Sequence, residues 1–274
     1  MRTMPELSEH KQQQIAMHKE VAEMYRRRAG YAFAQDFQEE RNALLMALLP
    51  QEREARSLDL GCGTGITLND LARRFRVACG IDLSHEMLTG FVGRSADANG
   101  KVLLLRGDMG KLPLQSNAFD VILCRSALHH MDDEVAVLTE VCRILKPNGR
   151  LVLGEPANDF PLFRLARWIA KRGKSYGKIH TIDRAYTRGQ LRAMFARAGL
   201  AVERETRFGF IAYALCDNPD LVPILKKLPA GLARGIGAVL RAIDRVLAHV
   251  PLLKNWSWYT MLDVRRADAA TARR

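Results

Sequence analysis

The sequence predicts an α/β chain built on a mostly parallel sheet with helices on both faces, and three observations carry that reading. Short apolar runs alternate with helical segments from Arg56 onward. The runs are nearly continuous in Val, Ile and Leu, as strands covered on both faces are. A glycine-rich turn, "LDLGCGTG" at Leu58 to Gly65, follows directly on the first of them.

Residues 8–28 open at Ser8 and carry Ile15, Val21, Met24 and Tyr25 near one face, which predicts a helix. Its basic end, "YRRRAGY", is broken by Gly30, and a second helix at about 34–48 stops at Pro50. Strands are expected at 56–60, 76–82, 101–106, 119–125 and 150–155, with helices at 66–75, 84–96 and 132–145. "LKPNG", Leu145 to Gly149, ends the third of these helices and turns the chain into the fifth strand. Residues 161–192 are rich in Lys and Arg, and "KRGKSYGK" within them reads as a mobile loop. Thr187 and Gln190 then make a capping box for a helix to Ala198, and "AGL" leads into a strand at about 201–207. Leu232, Ile236, Val239, Ile243, Val246 and Val250 recur at intervals of three and four, an amphipathic helix with Arg234, Arg241 and Arg245 off the stripe. "WSWYTMLDV", Trp256 to Val264, supplies the last strand.

With 274 residues, 48% of them hydrophobic, the chain can bury a core without disulfide or metal staples. The five cysteines include no CxxC pair and read as reduced, small apolar residues, which favours a cytoplasmic setting. The first residues lack an apolar signal region and no run of eighteen apolar residues occurs, so neither export nor a membrane span is expected. The net charge of +12 suits nucleic acid, an anionic lipid surface or an anionic substrate, and equally a plain basic surface in water.

The glycines narrow the chemistry. A dinucleotide fingerprint needs its third glycine at position 66, where the chain has Ile66. The spacing is instead G-x-G-x-G at Gly61, Gly63 and Gly65, with Asp59 two places before. "LDLGCGTG" resembles the first motif of the class I S-adenosylmethionine (SAM)-dependent methyltransferases. "GIDLSHEML" resembles the acidic end of their second strand. "LRGDMGKLPLQSNAFDVILCRSALHHMDD" resembles the stretch from the adenine contact to the fourth strand, and "EVCRILKPNGRLVLGEP" the following helix and fifth strand. The likeness spans about residues 50–200. Within the class, the chain resembles the small-molecule methyltransferases of ubiquinone and menaquinone biosynthesis. The resemblance implies a Rossmann-like fold with a seven-stranded sheet, SAM as cofactor and S-adenosylhomocysteine as product.

By the same resemblance Asp59 orders the methionine end of the cofactor, and Gly61, Cys62, Gly63, Thr64 and Gly65 line it. Asp82 ends the second strand, where a carboxylate can accept both ribose hydroxyl protons. Asp108 can accept from the adenine amine, and Met109 can cover the ring. Cys124, Arg125 and Ser126 end the fourth strand, the side on which open α/β sheets bind ligands.

Methyl transfer from a sulfonium is an in-line displacement with a neutral leaving group, so alignment and exclusion of water are the main demands. A general base is needed where an oxygen or a charged amine must lose a proton. His130 and His129 are the candidates, with His130 preferred on motif position. Tyr25, Tyr31, Ser126, Glu155, His180 and Tyr186 are candidate pocket or lid residues. No metal is expected, since Asp132, Asp133 and Glu134 sit where a helix N-terminus favours acids. The segment "CRSA" lacks the Asn/Asp-Pro-Pro-Tyr/Phe motif of amino-methyltransferases acting on adenine or glutamine, and Cys124 lacks the proline of cytosine-5 enzymes. No nucleic-acid module is recognisable.

The expected organisation is a helical cap (1–50), a SAM-binding core (51–209), a helical insertion or lid (210–254), the last core strand (255–265) and a disordered tail (266–274). The amphipathic helix at 230–249 either packs its stripe on the core or meets the inner face of a membrane peripherally. The expected partner is a small or amphipathic acceptor methylated at oxygen or nitrogen. RNA or protein as acceptor, and a silent SAM-binding subunit, are the alternatives.

Overall fold

A computed structural model describes residues 31–92, 101–161, 164–165, 168, 185–217, 227–251, 253 and 255–267. The helix expected at 8–28, Tyr25, the segment "KRGKSYGK", His180 and the tail beyond Ala267 lie outside the described residues.

The strands are β1 (Arg56–Leu60), β2 (Val77–Asp82), β3 (Lys101–Arg106), β4 (Phe119–Arg125), β5 (Leu145–Pro156), β6 (Leu200–Phe208) and β7 (Tyr259–Arg266). They form one sheet in the order β3-β2-β1-β4-β5-β7-β6. The pairs among β1 to β5 are parallel, and β7 runs antiparallel to both β5 and β6. The seven-stranded class I methyltransferase topology expected from the resemblance is therefore present. Alternate residues of the central strands enter opposite layers: Ile122 and Cys124 join one core cluster, Val121 and Leu123 the other. Each fully buried Val, Leu or Ile of this kind stabilises the fold by roughly 1.5–3 kcal/mol.

The helices are α1 (Ala32–Ala47), α2 (Ile66–Arg74), α3 (His85–Val92), α4 (Glu134–Ile144), α5 (Arg188–Arg197) and α6 (Ala230–Leu247). The capping box of α5 forms through Thr187 and Gln190. Asp133 caps α4 by accepting from Ala136 N at 2.9 Å. β5 starts earlier than expected, because Leu145 is already in register with Phe119 before the chain bulges through "KPNG" to pair Arg150 with Val121. The last strand starts later than expected, at Tyr259 instead of Trp256.

The helix expected at 230–249 forms as α6, and its apolar stripe meets the core only in part: Ile236, with the neighbouring Leu240, packs against it, while most of the stripe faces outward. Ala233, Gly237 and Asp244 are the buried residues, Gly237 against Phe33 of α1 and Asp244 against the backbone at 210–212, while Leu232, Val239, Ile243 and Val246 are 53%, 59%, 39% and 67% exposed. Polar links set this rotation. Arg241 reaches Glu40 at 3.0 Å and Asp36 at 3.7 Å, with Arg234–Asp36 at 3.8 Å and Arg245–Glu40 at 3.6 Å. Asp244 accepts the N–H groups of Phe210, Ile211 and Ala212 at 2.7, 2.8 and 3.1 Å. The three N–H groups and the carboxylate are mutually satisfied only with that face inward. Opposite Gly237, an added Cβ would stand 3.3 Å from Phe33 Cβ, so the two helices approach closely there.

Candidate active site

β1 pairs with β2 on one side and β4 on the other, so the chain order reverses across it. In open sheets the ligand crevice opens at such a reversal, beyond the C-terminal strand ends. The turn after β1 is anchored there by Gly61 N and Cys62 N, which donate to Ile81 O at 2.9 and 3.0 Å. Gly61 has φ +73°, and a Cβ on it would lie 2.5 Å from Ala127 Cβ, so the turns after β1 and β4 touch. Gly63 has φ +52°, and a Cβ there would meet nothing within 4 Å. The first glycine is thus demanded by the protein's own packing, whereas the second borders open space. Gly65, at φ +76°, starts α2, with Thr64 between them. Cys62 is buried, and burial with the nearby Asp59 and Asp82 pushes its thiol far up, against a nucleophilic role.

Asp59 is fully buried at the end of β1. Its Oδ2 accepts from Thr67 Oγ1 at 2.7 Å, while its Oδ1 is buried with no hydrogen-bond partner. Burial raises the carboxyl to about 6, against the Thr67 hydrogen bond and the charge of Arg125, which lower it. A buried carboxylate oxygen without a donor is costly unless a ligand supplies one.

Asp82 lies across the same turn. Its Oδ2 accepts from Gly63 N and its Oδ1 from Ser84 N, both at 2.8 Å, leaving further acceptor capacity on each oxygen. Ser84 itself caps α3, accepting from Met87 N at 3.2 Å. Asp108 Oδ1 accepts from Gly110 N at 2.9 Å. Met109 is buried beside the turn, its Sδ 3.4 Å from the position of a Cβ on Gly61.

Beyond β4 the chain is held by β5. Arg125 is in register with Gly154, so Glu155 stands beside the residues that follow β4. Glu155 is fully buried, and its Oε1 accepts from Ala127 N at 3.0 Å and Leu128 N at 2.8 Å. Its Oε2 lies 2.6 Å from Nδ1 of His129, which is also buried. Nε2 of His129 is buried and has no partner. The His130 ring is 4.1 Å from that of His129, and His130 is the less buried of the two.

Cys124 is fully buried, and burial drives its thiol well above its ordinary value. Arg125 Nη1 donates to Gln38 Oε1 at 3.3 Å, and Gln38 also accepts from Arg41. The Arg41 guanidinium lies over the Tyr259 ring, 5.3 Å from its centre. Ser126 has φ +52°, and its Oγ is 2.9 Å from the Tyr259 hydroxyl, which burial pushes up to about 12. α1 therefore covers the ends of β4 and β7. Tyr31 begins that helix, its carbonyl accepting from Ala34 N and Gln35 N, and its ring stacks near Phe33. Tyr186 is buried in the core, its hydroxyl donating to Glu134 at 3.0 Å, so it braces α4 against the end of β5.

A cavity of about 420 Å³ between α1 and α2 lies apart from these groups, lined by Asn42, Met46, Asp70 and Arg73 among others. Thr67, Gln38, Arg41 and Tyr259 carry no motif. Thr67 alone leaves a trace, as a hydroxyl in the first turn of the helix after the glycines.

Residues 58–153 match the family described as a methyltransferase domain. The chain is 30% identical to the demethylmenaquinone methyltransferase of Lactiplantibacillus plantarum, over 62% of this chain and 80% of that protein. It is 34% identical to the 27-O-demethylrifamycin SV methyltransferase of Amycolatopsis mediterranei, over 40% of this chain and 42% of that protein. It spans about half the length of the first curated relatives it matches. In fold it is similar to an S-adenosylmethionine-dependent methyltransferase from Mesorhizobium loti, with a TM-score of 0.53 and 21% identity over 82% of this chain and 96% of that one.

Proposed function

The chain belongs to the class I SAM-dependent methyltransferases, and from that premise we propose that it methylates an oxygen of a small, lipid-like acceptor of quinone or natural-product type. SAM, when bound, supplies a methyl group on a sulfonium. The residues present fit that cofactor. Asp59 Oδ1 is a buried acceptor lacking a donor, as an α-ammonium would provide. Gly63 borders open space, and Asp82 retains lone pairs for ribose hydroxyls.

The observation that carries the reading is the His129–Glu155 pair. Glu155 Oε2 is placed to accept from Nδ1 of His129, and in the neutral imidazole with its proton on Nδ1 the other nitrogen, Nε2, keeps a lone pair. That tautomer is the one a general base needs, and Nε2 is the atom without a partner. The base role therefore passes from His130 to His129, with Glu155 as its positioning residue. Oxygen acceptors need such a base most, since a hydroxyl is a poor nucleophile until its proton leaves. The acceptor class is supported by relatives whose names place them on demethylmenaquinone and on a demethylrifamycin.

The test is label transfer. The protein is mixed with methyl-tritiated SAM and a cell extract, which is then split into organic, aqueous and acid-precipitable fractions. Label in the organic fraction is expected. Label confined to the precipitate would replace the small acceptor with RNA or protein.

A further inference from the structure

We propose that the outward face of α6 docks on an anionic lipid bilayer. The face has a composition that water does not favour. Its exposed positions hold Leu232, Val239, Ile243 and Val246, the arginines Arg234 and Arg245, and otherwise only glycine and alanine. No exposed position from Ala230 to Leu247 carries a carboxylate, a hydroxyl or an amide, and the helix's one acid, Asp244, is buried. Ordinary solvated helix faces mix both charge signs with polar side chains. An apolar and solely cationic face complements a surface that is apolar within and negative outside. Arg234 and Arg245 are 57% and 67% exposed beside their long contacts to Asp36 and Glu40. Their guanidinium groups sit on the flank of the helix, at the level headgroups would occupy while valine and isoleucine enter the acyl boundary. The net charge of +12 adds long-range attraction to the same surface.

The placement also serves the site. α6 packs on α1, and α1 carries Gln38 to Arg125 and Arg41 to Tyr259. A protein lying on this face would hold the cover of its reaction centre at the membrane, where an amphipathic acceptor dissolves. Docking itself needs no assumption about the acceptor, and it is read without turnover.

The experiment is vesicle flotation of the full chain. One set of vesicles is pure phosphatidylcholine, and the other contains about a quarter phosphatidylglycerol. The expected result is flotation with the anionic set only, weakening as salt rises. Val239→Asp with Val246→Asp should reduce binding about tenfold or more, with melting temperature and S-adenosylhomocysteine affinity unchanged. These positions are exposed, so the fold does not depend on them. Recovery of the unaltered chain in the soluble fraction with both vesicle sets overturns the proposal, and that arm requires no variant. Binding that ignores the two aspartates overturns it as well. So does self-association in sedimentation velocity that the aspartates abolish while vesicles are not bound, because the face would then join two copies.

Discussion

Glu155 Oε2 lies 2.6 Å from His129 Nδ1, and the other oxygen of the same carboxylate holds the N–H groups of Ala127 and Leu128. One buried side chain thus holds the turn after β4 and also contacts the imidazole at Nδ1. The two duties can be separated. In Glu155→Gln the amide oxygen can still accept from the backbone, but its nitrogen donates to Nδ1 and shifts the imidazole proton to Nε2. Turnover is expected to fall about 10²–10⁴-fold, as in His129→Ala, with S-adenosylhomocysteine affinity kept. His130→Ala should lower turnover far less. Steady-state kinetics beside calorimetry checks this, and equal losses in both histidine variants would sink the assignment to His129.

The two glycines of the first turn should respond differently to alanine. Gly61→Ala drives a Cβ to 2.5 Å from Ala127 Cβ, so it should lower stability by about 2–3 kcal/mol and cofactor affinity with it. Gly63→Ala meets no protein atom, and only its φ of +52° costs, about 1 kcal/mol. Its cofactor affinity should nevertheless drop at least as far, because the added methyl enters the space assigned to the ligand. Urea melts and calorimetry on both variants separate the effects. Unchanged affinity in Gly63→Ala would move the cofactor elsewhere.

Asp59 gives the site a pH dependence. Burial raises its carboxyl to about 6, and a cationic ligand group prefers the ionised form. Binding should therefore release a proton below that value, and S-adenosylhomocysteine affinity should rise from pH 5 to about 6.5 and then level. For folding the sign is opposite. With its folded value raised above the unfolded one, Asp59 binds more protons in the native state between about 4 and 6, so its contribution to stability declines as pH climbs through that window. Calorimetry across the range checks the first claim. The slope should vanish in Asp59→Asn.

The sheet was legible because parallel strands covered on both faces read as continuous apolar runs. β1, β3 and β4 fall where those runs stand. The glycine turn after β1 was legible because glycine spacing is local. The partner of His129 was not, since Glu155 is distant in sequence and becomes its neighbour only through the register that pairs Arg125 with Gly154. For α6 the three-four period identified an amphipathic helix but not its inward face. That face is centred on the small residues Ala233 and Gly237 and on Asp244, with Ile236 and Leu240 beside them, and it is held by carboxylates on α1.

Asp244 makes the last of these points measurable. It reaches from α6 to the backbone N–H groups of Phe210, Ile211 and Ala212, all just beyond β6. Burial raises its carboxyl, and the N–H groups oppose that shift. Asp244→Ala removes the acceptor and leaves the buried donors of Phe210 and Ala212 without it, which should cost about 3 kcal/mol. Asp244→Asn keeps one acceptor oxygen and should cost about 1 kcal/mol. Hydrogen exchange in the alanine variant should rise first at 210–212 and along α6, ahead of β1 and β4. A loss spread evenly over the sheet would mean that α6 does not depend on this carboxylate for its seat.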